Sequence, residues 1–401
     1  MDTSLTAFDG HAGFAMADPV AGRRRLKLLD SGRAAFREVV RCIDAANHSI
    51  EARTFLWRDD EIGNEIGRAV LRAAERGVQV IIHKDAVAAV YEYMAGTRQS
   101  FFHKELDGIQ KFQTWFMGKV YTRADKVDPR PNPISQALLD HSNVQVLADK
   151  RFDHAKLFVF DDERLVLGSM GIGDAHHSEW VEKAVRIDGA EHVARLRDRL
   201  SGVVPFDGGR KVDFLFHSRE MHPPRTCPML TERLGLIDST EKSLTIEMAY
   251  LGDRRFTSAV IRAVKRGVDV KLVTAAQADV LGNLNRATCD RILRRTKAPS
   301  NLTIVMLPRM VHAKVVVRDG RYIDIGSANF TPLSHGVYDE LNAHLDDDTL
   351  AVELESAIER HCEEGETVGR RVRHRKLHYQ IERAIVAYQG RRSPRRGYPS
   401  R

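Results

Sequence analysis

The sequence predicts an α/β protein built from two homologous halves, each a mixed or largely parallel sheet flanked by helices. Two pairs of segments carry that prediction. Ser49 to His83 reads SIEARTFLWRDDEIGNEIGRAVLRAAERGVQVIIH, and Leu244 to Thr274 reads LTIEMAYLGDRRFTSAVIRAVKRGVDVKLVT. Each is followed by a copy of one eight-residue pattern, HAKLFVFD from His154 to Asp161 and HAKVVVRD from His312 to Asp319.

Each long segment opens with a short apolar strand, crosses a charged turn and continues with apolar residues at three- and four-residue spacing. These are Ile66, Val70, Leu71 and Ala74 in the first copy, and Val260, Ile261 and Val264 in the second. That spacing lines one face of a helix. Both helices run into Arg-Gly-Val, where glycine ends the helix, and then into a β-branched strand. The βαβ unit that results makes its two strands parallel, with the helix on one face of the sheet.

The boundaries follow from the repeat and from Gly/Pro-rich stretches. Residues 1–27 form a flexible N-terminal segment, 28–202 the first half and 209–365 the second, with SGVVPFDGGR (Ser201 to Arg210) joining them. The first half holds a helical insert at about 91–150. Within it, Leu106, Ile109, Phe112, Trp115 and Phe116 share a helical face. Such a face is either packed on the sheet or an apolar lip against acyl chains. The proline-rich DKVDPRPNPIS stretch that follows is expected to be a loop. Residues 366–401 are strongly basic, with Leu377, Ile381, Ile385 and Val386 suited to a docking helix before a disordered cationic tail.

The chain has 401 residues, and 62 basic against 55 acidic side chains give a net charge of +7. That excess favours anionic partners without choosing among nucleic acid, lipid headgroups and phosphorylated small molecules. Cys42, Cys227, Cys289 and Cys362 are scattered, which offers no disulfide framework or zinc signature. The N-terminal stretch lacks the apolar core of a signal peptide, and no apolar run reaches the length of a transmembrane helix. Any membrane role is therefore expected to be peripheral.

On a strand, residues two apart face the same side, so His154 projects with Lys156 and His312 with Lys314. Two imidazoles have complementary uses at phosphorus: a neutral one attacks, and a protonated one gives a proton to the leaving oxygen. Two lysines hold the nonbridging oxygens. With the halves face to face, the four side chains make an anion site at the interface that needs no metal. His-x-Lys is a poor metal pair, because the ammonium repels the ion, and no Cys or carboxylate stands at ligand spacing within the strands.

Each pattern is followed by six residues and then a Gly-Ser: Gly168-Ser169-Met170-Gly171 and Gly326-Ser327-Ala328-Asn329. With these residues the sequence resembles the phospholipase D superfamily, whose signature is His-x-Lys-x4-Asp-x6-Gly-Ser-x-Asn. The second copy fits in full, and the first has Gly171 in place of the usual Asn. Bacterial cardiolipin synthases look most similar, through AANHSIEARTFLWRDDEIGNEI and GSMGIGDAHHSEWVE. The latter puts Glu182 where the family has a carboxylate after a tryptophan, and Glu340 is the matching acid of the second half.

The resemblance implies two phospholipase-D-like halves with the active site at their interface, no cofactor, and transfer through a phosphohistidine. It implies His154 as nucleophile, His312 as acid and base, and Lys156 and Lys314 as phosphoryl-oxygen ligands, with Ser169, Ser327 and Asn329 nearby. Glu182 and Glu340 are expected to orient the imidazoles. Asp161 and Asp319 belong to the motif, in a structural or electrostatic role. His176 or His177 is a candidate to compensate for Gly171, against a plain surface position for both.

The implied activity is a phosphatidyltransferase that makes cardiolipin from phosphatidylglycerol, with phosphatidylglycerol or phosphatidylethanolamine as donor. The alternatives are a phospholipase D or other metal-independent phosphodiesterase or nuclease, and a non-catalytic protein that binds anionic lipid. Phospholipids and an anionic membrane surface are the expected partners. Nucleic acid is not expected, since no stacking platforms for bases are evident. The implied location is cytoplasmic, at the inner face of the cell membrane, as in synthases without N-terminal membrane helices.

Overall fold

The computed structural model describes residues 25–93, 99–103, 106, 108–121, 131–149, 152–202, 205–222 and 226–392. The first sheet contains β1 (Leu26–Leu29), β2 (Ser49–Thr54), β3 (Gln79–Asp85), β4 (Val144–Asp149), β5 (Leu157–Phe160), β6 (Arg164–Gly168) and β7 (Ala184–Asp188). Their spatial order is β1-β7-β6-β5-β2-β3-β4. The second contains β8 (Val212–His217), β9 (Ser243–Met248), β10 (Asp269–Ala275), β11 (Leu302–Leu307), β12 (Lys314–Arg318), β13 (Tyr322–Gly326), β14 (Glu340–Asp346) and β15 (Glu366–Thr367). These run in the order β15-β11-β10-β9-β12-β13-β14-β8. Both sheets are open and mixed: β2-β3-β4 and β9-β10-β11 are parallel, while the hairpins β5-β6-β7 and β12-β13-β14 are antiparallel.

The helices are α1 (Gly32–Ala45), α2 (Glu61–Glu75), α3 (Ala89–Glu92), α4 (Gly108–Tyr121), α5 (Pro133–Asp140) and α6 (Ala190–Ser201), then α7 (Pro228–Asp238), α8 (Arg254–Lys265), α9 (Gly282–Thr296), α10 (Asp348–Cys362) and α11 (Lys376–Arg392). The two repeat helices are built alike. Asp60 caps α2 by accepting from the Gly63 amide, and Asp253 caps α8 by accepting from the Arg255 amide. Gly77 and Gly267 follow at φ of +97° and +90°, a region that side chains disfavour. The arginine before each glycine ties two helix ends together. Arg76 donates to the carbonyls of Ile43 and Ala46, and Arg266 to those of Ile237 and Thr240. The repeated Arg-Gly-Val is thus a chain-reversal device and lies outside the site.

Strand alternation explains why the motif runs are apolar throughout. Leu157 and Val159 of β5, with Val315 and Val317 of β12, belong to one large core between the two sheets. Phe158 and Phe160 face the opposite way into a core with α1 and α2, and Val316 faces a core with α8 and α9. A strand buried on both faces loses the polar alternation of a half-exposed one.

Three expectations need correction. His154 and Lys156 precede β5, and His312 precedes β12, so the motif leads into its strand and does not lie wholly within it. In the insert, Leu106 lies before α4, and Phe112 and Trp115 are 62% and 57% exposed, so at these two positions the helix is not packed on the sheet. The side chains of Ile109 and Phe116 lie outside the described residues. The proline-rich loop ends earlier than expected, because Asn132 caps α5 and Pro133 opens it. The basic segment does form a docking helix, with Val386 buried and Leu377 exposed. Residues 1–24 and 393–401 lie outside the described residues.

Candidate active site

Where the two sheets meet, two isolated parallel bridges join the halves, Asp153 to Asp339 and Val181 to Val311. The His154 amide donates to the Asp339 carbonyl at 2.8 Å, and the His312 amide to the Val181 carbonyl at 2.8 Å. Glu340 and Glu182 are the next residues after those carbonyls. Backbone pairing therefore sets each glutamate beside the histidine of the other half. His154 Nδ1 lies 3.0 Å from Glu340 Oε2. His312 Nδ1 lies 2.8 Å from Glu182 Oε1, at ion-pair distance but off the hydrogen-bonding line.

Carboxylates only accept, so an imidazole facing one carries its proton on Nδ1 and turns the Nε2 lone pair away. Both carboxyls stay ionised. Burial pushes the Glu182 carboxyl up, but His312 and His176 together hold it well below its ordinary value. Glu340 is likewise lowered, against burial, by His154 and Lys156. Burial drives His154 down to about 4 and His312 well below the histidine range, with the glutamates opposing. Lys156 is pushed down to about 7 and Lys314 to about 8, again by burial. Each ammonium donates to the carbonyl of its own motif histidine, Lys156 Nζ to His154 O at 2.6 Å and Lys314 Nζ to His312 O. An anion entering such a site favours the charged forms of these groups.

His154 and His312 line one cavity of about 220 Å³ together with Phe55, Tyr91, Trp180, Tyr250 and Tyr338. The aromatic side chains also cross between halves: Tyr338 stacks on His154 at 5.3 Å, and Trp180 leans on His312 at 5.3 Å. These aromatics were missed in the sequence. A usable signal was present, since Trp180 and Tyr338 each stand two residues before the glutamate of their half. Asn329 lines the cavity.

Ser169 and Ser327 are placed differently from the expectation. Both are fully buried and donate to the glutamates, Ser169 to Glu182 Oε2 and Ser327 to Glu340 Oε2, so they support carboxylates and do not face the cavity. Asp161 and Asp319 lie outside it as well. Asp161 accepts from the amides of Asn47, His48 and Ser49, and Asp319 from those of Glu241, Lys242 and Ser243. They fasten the turns that lead into β2 and β9. His176 corrects the surface expectation: it is 1% exposed, lines the cavity and is bonded to Glu182.

Among the described residues, His176, Glu182 and His312 form a group whose ligand-type atoms lie within 4.8 Å of one another. A Glu182 oxygen already stands at hydrogen-bond or ion-pair distance from both Nδ1 atoms. The charges of Lys156 and Lys314, which act on these histidines, disfavour a further cation there.

Two histidine–lysine pairs, one from each half and each histidine facing a glutamate of the other half, define a scaffold of the phospholipase D type. A family model described as "Cardiolipin synthase, PLD-like domain" matches residues 39–203 and 234–362, and the chain belongs to that family. Cardiolipin synthase B of Escherichia coli (strain K12) is 24% identical over 366 residues, covering 85% of this chain and 82% of the relative. Cardiolipin synthase A of Pseudomonas entomophila is 24% identical over 361 residues, with 85% and 69% covered. In fold, the chain is similar to phosphatidylserine synthase of Haemophilus influenzae Rd KW20, at a TM-score of 0.66 and 14% identity, with 92% and 95% covered.

Proposed function

We propose that the protein is a phosphatidyltransferase of the cardiolipin synthase type. The observation that carries this reading is the crosswise pairing of each buried histidine with the other half's glutamate, which directs two Nε2 atoms into a largely apolar cavity. His154 Nε2 attacks the phosphorus of a bound phosphatidyl donor, and the bond from phosphorus to the donor's alcohol breaks. His312, facing Glu182 through Nδ1, takes up a second proton on Nε2 when the anionic donor binds, and the departing oxygen takes that proton. The acceptor hydroxyl of phosphatidylglycerol then attacks the phosphohistidine, gives its proton to His312, and the phosphorus–nitrogen bond breaks. Lys156 and Lys314 neutralise the nonbridging oxygens. Glu340 balances the charge that develops on His154.

Among the described residues no helix is long and apolar enough to cross a membrane. We place the chain as a peripheral enzyme at the inner face of the cell membrane, with Phe112 and Trp115 of α4 and the basic C-terminal segment meeting anionic lipid. Hydrolysis on the same scaffold differs only in water replacing the acceptor alcohol.

The test is product analysis with mixed micelles of phosphatidylglycerol, with and without phosphatidylethanolamine, for the native chain and for His154→Ala and His312→Ala. Cardiolipin made by the native chain and lost in both variants is the expected result. Phosphatidic acid as the sole product would replace transfer with phospholipase D activity. No lipid turnover would overturn the lipid reading.

A further inference from the structure

The two halves differ at one point of the site. In the second, the Asn329 side-chain oxygen accepts from the Tyr250 amide at 3.2 Å, which leaves its NH2 for the cavity that Asn329 lines. Ser334 stands behind it, with its hydroxyl accepting from the Asn329 amide at 3.1 Å. In the first half these positions, counted from each Gly-Ser pair, are Gly171 and His176. A Cβ at Gly171 would lie 3.1 Å from His176 Nε2 and 3.1 Å from Leu56 Cβ. The imidazole therefore takes up the room that the asparagine side chain would need.

His176 is held firmly. Its Nδ1 bonds Glu182 Oε1 at 2.6 Å, and its ring packs edge-on against Trp180 at 4.6 Å and His312 at 4.9 Å. Its Nε2 is buried and has no hydrogen-bond partner, although the residue lines the same cavity as both motif histidines. A buried polar atom left unmatched in the wall of a cavity marks a place for a ligand atom.

We infer that His176 is a substrate-contacting residue: its Nε2 stands in for the missing asparagine amide and holds a nonbridging oxygen of the bound phosphoryl group. The inference deepens the phosphotransfer reading and rests on it for the identity of the natural ligand. The substitution has a chemical consequence. An amide donates at any pH, whereas Nε2 of an imidazole whose Nδ1–H is committed to Glu182 donates only when a second proton is bound. Oxyanion binding in the first half is then coupled to uptake of one proton from solvent. The groups that face His176 are Glu182 and His312, with Arg58 and Lys156 opposing its charge and Asp279 favouring it. Burial lowers the histidine. The arriving oxyanion raises it, so binding tightens as pH falls.

The test is calorimetric binding of inorganic sulfate, a tetrahedral oxyanion that does not itself titrate near neutral pH. The proteins are the native chain, His176→Ser, Gly171→Asn, and the double variant, which copies the Asn329/Ser334 pair. His176→Ser should bind about tenfold to a hundredfold more weakly below neutral pH, the loss of one charge-assisted hydrogen bond. Gly171→Asn alone should also weaken binding, because its side chain meets the imidazole. The double variant should recover affinity and show a shallower pH dependence than the native chain. Native affinity in His176→Ser, or a double variant as steep with pH as the native chain, would overturn the inference. Sulfate binding needs no turnover, so a protein that behaves as expected here but makes no lipid product sinks only the transferase reading.

Discussion

Replacing Glu340 with glutamine removes a charge from the site with little change of shape. Glu340 Oε2 accepts from both His154 Nδ1 at 3.0 Å and Ser327 Oγ at 2.5 Å, while Oε1 is buried without a hydrogen-bond partner. Glutamine can put its oxygen where Oε2 stands, keep both bonds, and leave its NH2 in the unmatched position. Two effects follow. The bond to His154 falls from charge-assisted to neutral strength, which costs about 1–2 kcal/mol when charge develops on the imidazole, or about 5- to 30-fold in rate. Lys156, already pushed down to about 7 by burial, also loses the strongest group holding it up. A further drop of about one unit takes its charged fraction at pH 7 from about half to about a tenth.

The Glu340→Gln defect should therefore be about 25- to 150-fold at pH 7, where both effects act. It should shrink to about 5- to 30-fold in mildly acidic buffer, where Lys156 regains its proton. His154 does not interfere, because it stays neutral down to about 4 in the native protein, and losing Glu340 only lowers it further. Initial rates on a soluble chromogenic phosphodiester, measured across pH, give both numbers. A defect of equal size at every pH would refute the role given to Lys156, and no defect would refute the role given to Glu340.

Other perturbations have equally definite outcomes. Glu182→Gln should lose more activity than Glu340→Gln in the same assay, because Glu182 faces both His176 and His312; a smaller loss would break that reasoning. Gly326→Ala should cost about 1–3 kcal/mol in denaturant unfolding. Its Cβ would lie 2.3 Å from the Leu341 carbonyl oxygen and 2.6 Å from Asn342 Cα, backbone atoms of β14 that cannot swing away. Gly108→Ala, which meets nothing within 4 Å, is the control. Phe112→Ser with Trp115→Ser should reduce flotation with anionic vesicles and spare turnover of a soluble phosphodiester. Unchanged flotation would remove α4 from the membrane surface.

The sequence by itself determined the duplication, the α/β halves of sheet flanked by helices, and the pairing of a histidine with a lysine in each. Those features are local: helical spacing, a glycine at positive φ after each repeat helix, and a short motif that needs no distant partner to be recognised. The aspartates of that motif show the limit of local reading. Asp161 and Asp319 are as regular in sequence as the histidines, yet they fasten backbone turns, because a β-strand carries its two ends to different places. Only the tertiary structure decided which carboxylate serves which imidazole. The answer is crosswise, because the bridges Asp153–Asp339 and Val181–Val311 join residues far apart in the chain. It also decided the fate of His176. In sequence it is one of two adjacent histidines that could compensate for Gly171, with nothing to choose between them or against a surface position for both. In the fold, the side chain missing at Gly171 leaves a space beside Glu182, and the buried imidazole of His176 occupies it.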